Sequence, residues 1–150
     1  MTLIRKKANT PNSQLVYRYK PTHMSMKILV VDDEADVRPL FNQRFRKEIK
    51  EGELTFEFAL SGVEALEYLS HSHSEVSLIL SDINMPGMSG IELLSQIRHT
   101  YEKPPPVVMM ITAYGDDENR NLAMRGGAND FLTKPVDFIG LKEKLKTFAN

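Results

Sequence analysis

The chain has 150 residues, 41% hydrophobic and 26% charged, with a net charge of −1 and no cysteine. That is one-domain length with enough apolar material for a core. It excludes disulfides, thiolate catalysis and cysteine-ligated zinc. No run approaches the ~20 apolar residues of a membrane span, and the basic N-terminus has no apolar segment of a secretory signal, which fits a cytoplasmic protein.

The small net charge hides an asymmetry. Residues 1–26 carry Arg5, Lys6, Lys7, Arg18 and Lys20 and no acid, so they sum to +5 and the remainder to −6. Such an arm can touch nucleic acid or an acidic surface. With Pro11, Asn12, Ser13 and Pro21 it reads more simply as a solvated, flexible extension. No nucleic-acid-binding or membrane motif accompanies it. Residues 27–150 read as the folded domain.

Lys27–Val31 is a short apolar run that stops at Asp32-Asp33 and reads as a strand buried on both faces. A helix follows with Val37, Leu40, Phe41 and Phe45 inward and Pro39 in its first turn. Leu54–Ala59 alternates as a second strand. Ser61 is placed as the N-cap of a helix carrying Ala65, Leu66 and Leu69. Ser77–Ser81 is a third strand ending at Asp82, and 84–90 is a Pro/Gly turn before a helix with Ile91, Leu94 and Ile97. After Pro104-Pro105-Pro106, Val107–Ile111 is a fourth strand ending at Thr112. Residues 116–125 form a polar helix closed by Gly126-Gly127. Asn129–Thr133 is a fifth strand ending at Lys134-Pro135, and Asp137 caps a last helix to about Phe148. Strand and helix alternate five times. This implies α/β architecture: a flavodoxin-like, doubly wound (βα)5 fold with a five-stranded parallel sheet in the order 2-1-3-4-5.

In that order, ligands bind at the carboxyl ends of the strands, beside the first. There the chain places Asp32, Asp33, Asp82, Thr112 and Lys134. Clustered carboxylates repel unless a cation intervenes, and Mg²⁺ takes a few carboxylates plus water and phosphate oxygens. Lys134 and Thr112 suit phosphoryl oxygens. A carboxylate in such a site can be the nucleophile. Singly, each residue has an ordinary reading as cap, turn or solvated side chain; their joint placement on four strand ends argues for chemistry.

The stretches Val30–Glu34, Asp82–Gly90, Ile111–Ala113 and Gly127–Pro135 resemble the receiver domain of two-component response regulators, over residues 27–149. The resemblance implies a phosphorelay phosphoprotein carrying an aspartyl phosphate. Asp82 matches the phosphoacceptor. Asp32, Asp33, Asp82 and the backbone carbonyl of Asn84 match the Mg²⁺ site. Lys134 matches the phosphate-pairing lysine, Thr112 and Phe131 the switch pair, and Ala113 the small residue that leaves access. Asn84 and Tyr114 match the positions that tune dephosphorylation, so Tyr114→Ala is expected to speed loss of the phosphoryl group. Phe131→Ala is expected to permit phosphorylation yet weaken output.

The partners so implied are a histidine kinase or histidine phosphotransfer protein upstream. Downstream, a target meets the face of the fourth helix, fifth strand and fifth helix, with phosphorylation-dependent dimerisation as another output. The expected chemistry is autocatalytic phosphotransfer and autodephosphorylation, not turnover of an outside substrate. No output domain follows the last helix, so a stand-alone regulator and a piece of a longer protein both stay open. Two rivals remain: an aspartate-nucleophile phosphohydrolase, which would carry an Asp-x-Asp pair after strand 1, and an unphosphorylated pseudo-receiver.

Overall fold

The computed structural model describes residues 25–102 and 105–149. Apart from Ser25 and Met26, the basic extension lies outside them. The apolar runs become five strands: β1 (Met26–Val31), β2 (Leu54–Ala59), β3 (Leu78–Asp82), β4 (Val107–Ala113) and β5 (Asp130–Lys134). All pairings are parallel, in the order β2-β1-β3-β4-β5, as the doubly wound expectation required. β3 is buried at every residue and β1 at all but Lys27. That is why both read as unbroken apolar runs. β2 lies at the sheet edge and alternates, with Phe56 and Phe58 half-buried.

The helices are α1 (Val37–Arg44), α2 (Arg46–Lys50), α3 (Gly62–Ser72), α4 (Gly90–Thr100), α5 (Asp117–Arg125) and α6 (Phe138–Ala149). The first expected helix is broken in two. Phe45 leaves helical geometry, with φ −110 and ψ 21. Its N–H still donates to Phe41 and its carbonyl still accepts from Ile49. Its ring is wholly buried, 5.1 Å from Phe56 and 6.1 Å from Phe138. Seating that ring outranks ideal dihedrals at one residue. Leu40, expected inward, is 39% exposed. Successive helical residues turn by about 100°, which puts it on the flank of the Val37–Phe41 stripe.

The two expected caps form: Ser61 Oγ accepts from the Glu64 N–H and Asp137 from the Ile139 N–H. Asp116, not singled out as a cap, accepts from the Asn119 N–H. Ser89 and Glu92 close a reciprocal capping box at 3.1 and 2.8 Å. Each cap contributes about 1 kcal/mol.

Strand alternation divides the core between the two faces of the sheet. On one, Leu29, Val31, Ile79 and Met110 meet α3, α4 and α5. On the other, Ile28, Val30, Leu80 and Ile111 meet Phe41 and Phe45 and, from α6, Leu141 and Leu145. At the amino end of the sheet, Arg98 of α4 is a clamp. Its guanidinium donates to Gly127 O at 3.0 and 2.8 Å, to Pro106 O at 2.7 Å and to Asn129 Oδ1 at 2.9 Å. Asn129 Oδ1 also accepts the Val108 N–H at 2.8 Å. Burial pulls the Arg98 pKa below its ordinary value. Gly127, at φ +101, supplies the left-handed turn that aims its carbonyl into this clamp. Among the described residues no helix is long and apolar enough to cross a membrane.

Candidate functional site

Parallel strands bring their carboxyl ends to one rim. β1 ends into Asp32 and Asp33, and β3 ends at Asp82. One carboxylate oxygen from each lies within 4.8 Å of the other two. Asp32 is 5% exposed and Asp82 3% exposed, whereas Asp33 faces solvent. At an effective dielectric of about 20, two charges at that separation repel by roughly 3 kcal/mol.

Lys134, at the end of β5, answers part of this. Its Nζ donates to Asp82 Oδ2 at 2.8 Å and stands 3.9 Å from Asp32 Oδ2. Burial works against the ammonium, but its hydrogen bond to Asp82 and the charges of Asp82, Asp32 and Glu34 outweigh it and raise its pKa. Burial, and then the charge of Asp82, push the Asp32 carboxyl above its ordinary range, against the pull of the Glu34 N–H and of Lys134. One ammonium thus faces three carboxylates. The donor set fits a small hard cation, which takes oxygen ligands and neutralises crowded acids.

Backbone donors orient the acids. The Glu34 N–H donates to Asp32 Oδ1 at 2.9 Å and the Asn84 N–H to Asp82 Oδ1 at 3.3 Å. Asp82 is therefore held at one oxygen by the turn that follows it and at the other by Lys134. Gly90 fixes that turn. A Cβ there would stand 2.2 Å from the Asp82 carbonyl oxygen and 2.7 Å from Ile83 Cα.

Thr112 lies on β4, one residue beyond Ile111, the partner of Asp82. It is 1% exposed, and its Oγ1 is buried with no hydrogen-bond partner among the described residues. A buried hydroxyl without a partner is costly. Tyr114 sits past the strand end and is 86% exposed. Phe131 does not join the acidic crevice. It is half-buried on β5 opposite Met110, with the Arg120 guanidinium 5.2 Å over its ring.

Sequence reading missed Gly90, Glu34 as an electrostatic neighbour of Lys134, and Arg120. Gly90 opens a helix at its capping Ser, a visible signal. Arg120 had none, because its contact crosses from helix to strand.

A doubly wound parallel sheet with a mixed-charge crevice at its switch point defines the class: a flavodoxin-like α/β protein whose polar site is built from strand ends. The family model of the response regulator receiver domain matches residues 28–146, and the chain belongs to that family. It is a receiver domain of the two-component phosphorelay kind. It is 40% identical to an uncharacterized 14.6 kDa protein of Leptolyngbya boryana over 80% of this chain and 87% of that one. It is 34% identical to sporulation initiation phosphotransferase F of Bacillus subtilis, over 83% and 94%. Against response regulator RppA of Synechocystis it is 33% identical and spans about half that protein's length, 49%. Among solved structures, it resembles the receiver domain of Ssk1 from Saccharomyces cerevisiae, crystallised with the histidine phosphotransfer protein Ypd1. There the TM-score is 0.73 and identity 25%, over 83% of this chain and 89% of that one.

Proposed function

We propose that this receiver takes a phosphoryl group from a phosphohistidine onto Asp82. The observation that carries the reading is the Lys134–Asp82 contact of 2.8 Å within a trio of carboxylates. An Asp82 carboxylate oxygen forms the new P–O bond while the P–N bond to the donor imidazole breaks, and the imidazole leaves with the bonding pair. Lys134 follows the charge onto the phosphoryl oxygens. The Thr112 hydroxyl, buried without a partner, gains an acceptor when a phosphoryl oxygen arrives. Asp32, Asp33, Asp82 and the Asn84 carbonyl would hold Mg²⁺. When bound, the ion neutralises the carboxylates and the developing phosphoryl charge.

The donor is a histidine kinase or a histidine phosphotransfer protein, following the Ypd1–Ssk1 precedent. Thr112 and Phe131 pass the modification to the surface of α5, β5 and α6, where a target or a second copy docks. Tyr114, exposed at the rim, slows hydrolysis by water, so Tyr114→Ala shortens the lifetime of the adduct. Residues 27–150 carry this activity and residues 1–26 are an accessory basic arm. The protein modifies itself and turns over no outside substrate.

The test is incubation with Mg²⁺ and acetyl phosphate, followed by intact mass and hydroxylamine treatment. A hydroxylamine-labile adduct on wild type, absent from Asp82→Asn and from EDTA-treated protein, is expected. Steady phosphate release from varied substrates would move the site to a phosphohydrolase, and no adduct at all would leave a pseudo-receiver.

A further inference from the structure

The strand register puts Phe131 beside Met110, two residues before Thr112 along β4, on the face that α5 covers. The α5 portion of that face is thinly packed. α5 buries only Ala123, and Phe131 is half-buried instead of joining the apolar cluster of Met110 and Ala123. What lies against its ring is a cation. The Arg120 guanidinium sits 5.2 Å from the ring centroid, while its Nη1 is 3.4 Å from Asp117 Oδ1, one turn earlier on α5. Asp116 caps the same helix end through the Asn119 N–H and also accepts from the Asn119 side chain. Arg120 is therefore anchored to a capped turn and covers the aromatic from outside. Close by on that face, the Thr112 hydroxyl is buried without a partner.

We propose that Arg120 is a latch: its guanidinium holds Phe131 in this half-buried position and so stabilises the unphosphorylated state against the phosphorylated one. The proposal rests on the reading of Asp82 as phosphoacceptor and of Thr112 and Phe131 as its switch pair. A contact made in one state only biases the equilibrium by its own free energy. By linkage, whatever the latch contributes to the resting state is subtracted from the affinity for anything that favours the other. A cation over an aromatic at a partly exposed position contributes a factor of about two to five. Asp117 makes the latch tighter by orienting Arg120, so its removal has a smaller effect of the same sign.

The experiment titrates Mg²⁺-saturated protein with beryllofluoride, a phosphoryl mimic, by isothermal calorimetry. Wild type, Arg120→Ala, Arg120→Lys, Phe131→Leu and the double variant Arg120→Ala/Phe131→Leu are compared. Arg120→Ala is expected to bind about two- to five-fold more tightly than wild type, and Arg120→Lys to lie between the two. In the Phe131→Leu background the gain from Arg120→Ala should vanish, because the ring it acts through is gone. A second readout needs no ligand: aromatic ¹³C relaxation of Phe131 in metal-free protein should show faster ring exchange in Arg120→Ala. Unchanged or weaker beryllofluoride binding by Arg120→Ala, or the same gain with and without Phe131, overturns the latch. Wild type that binds no beryllofluoride at all overturns the phosphoacceptor reading and the latch with it.

Discussion

The two ends of the sheet handle buried polar groups in opposite ways. At the amino end, Arg98 spreads its donors over Gly127, Pro106 and Asn129, and Asn129 also accepts the Val108 N–H of β4. Nearby, Lys27 meets Glu75 at 3.3 Å and the Ser77 hydroxyl accepts the Lys27 N–H at 3.2 Å. At the carboxyl end, three carboxylates crowd within 4.8 Å of one another, Lys134 reaches only Asp82 and Asp32, and a threonine hydroxyl is buried without a partner among the described residues. The same strands run through both. One end spends its polar groups on stability. The other leaves interactions unmade, which is what a site that binds charged ligands requires.

Three changes break or sharpen that contrast, from the largest expected effect to the smallest. Gly90→Ala drives a methyl into the Asp82 carbonyl and Ile83 backbone. It should cost about 3 kcal/mol in urea unfolding and should also displace Asp82, reducing adduct formation in the acetyl phosphate assay. A well-folded Gly90→Ala with normal labelling would show that the turn does not position Asp82. Arg98→Ala leaves several amino-end carbonyls without their charged donor. We expect a loss of about 2 kcal/mol and a Tm lower by about 5–10 °C. Labelling of Asp82 at low temperature should be unchanged; impaired labelling would mean that the two ends are not separable.

Asp32→Asn should do the reverse at the other end. The Asp32 carboxyl is held above its ordinary range, so folding favours its neutral form. That penalty is absent below the ordinary carboxylate value of 3.8, grows as pH rises toward the folded value, and stays constant above it. Thermal unfolding in EDTA at pH 7 should therefore place Asp32→Asn a few degrees above wild type, with the gain gone at pH 3. If the carboxylate trio holds Mg²⁺ as proposed, saturating Mg²⁺ should cancel or invert the order, since the intact trio gains more from the ion than one lacking a carboxylate. Equal Tm values in EDTA at pH 7 would count against stored repulsion.

The sheet was legible because its signals are local. Apolar runs with polar residues at their ends give β1, β3 and β4 directly, and crossover rules leave few orders, of which the flavodoxin-like 2-1-3-4-5 is one. The site was legible for the same reason: in a doubly wound sheet, position at a strand end is position at the crevice. Asp32, Asp33, Asp82 and Lys134 needed no further information. The bend at Phe45, the Arg98 clamp and the Arg120–Phe131 contact were not legible. Each is set by partners on other elements, Phe56 and Phe138 for Phe45, Asn129 for Arg98 at a separation of 31 residues, and Phe131 for Arg120, and no periodic pattern encodes such a pair.

One consequence follows from the direction of α6. Its Lys144 pairs with Asp130 at the start of β5, at 2.7 Å, so the helix runs back from the crevice toward the amino end of the sheet. β1 starts at Met26 at that same end. Both ends of the described fold, at Ser25 and Ala149, therefore lie on the side opposite Asp82. Dyes, surface tethers or fused reporters joined there would leave the acidic crevice open to a docking protein. Distance changes between two such handles would report on the scaffold, and a probe meant to test the proposed Phe131 switch belongs on α5 or β5 instead.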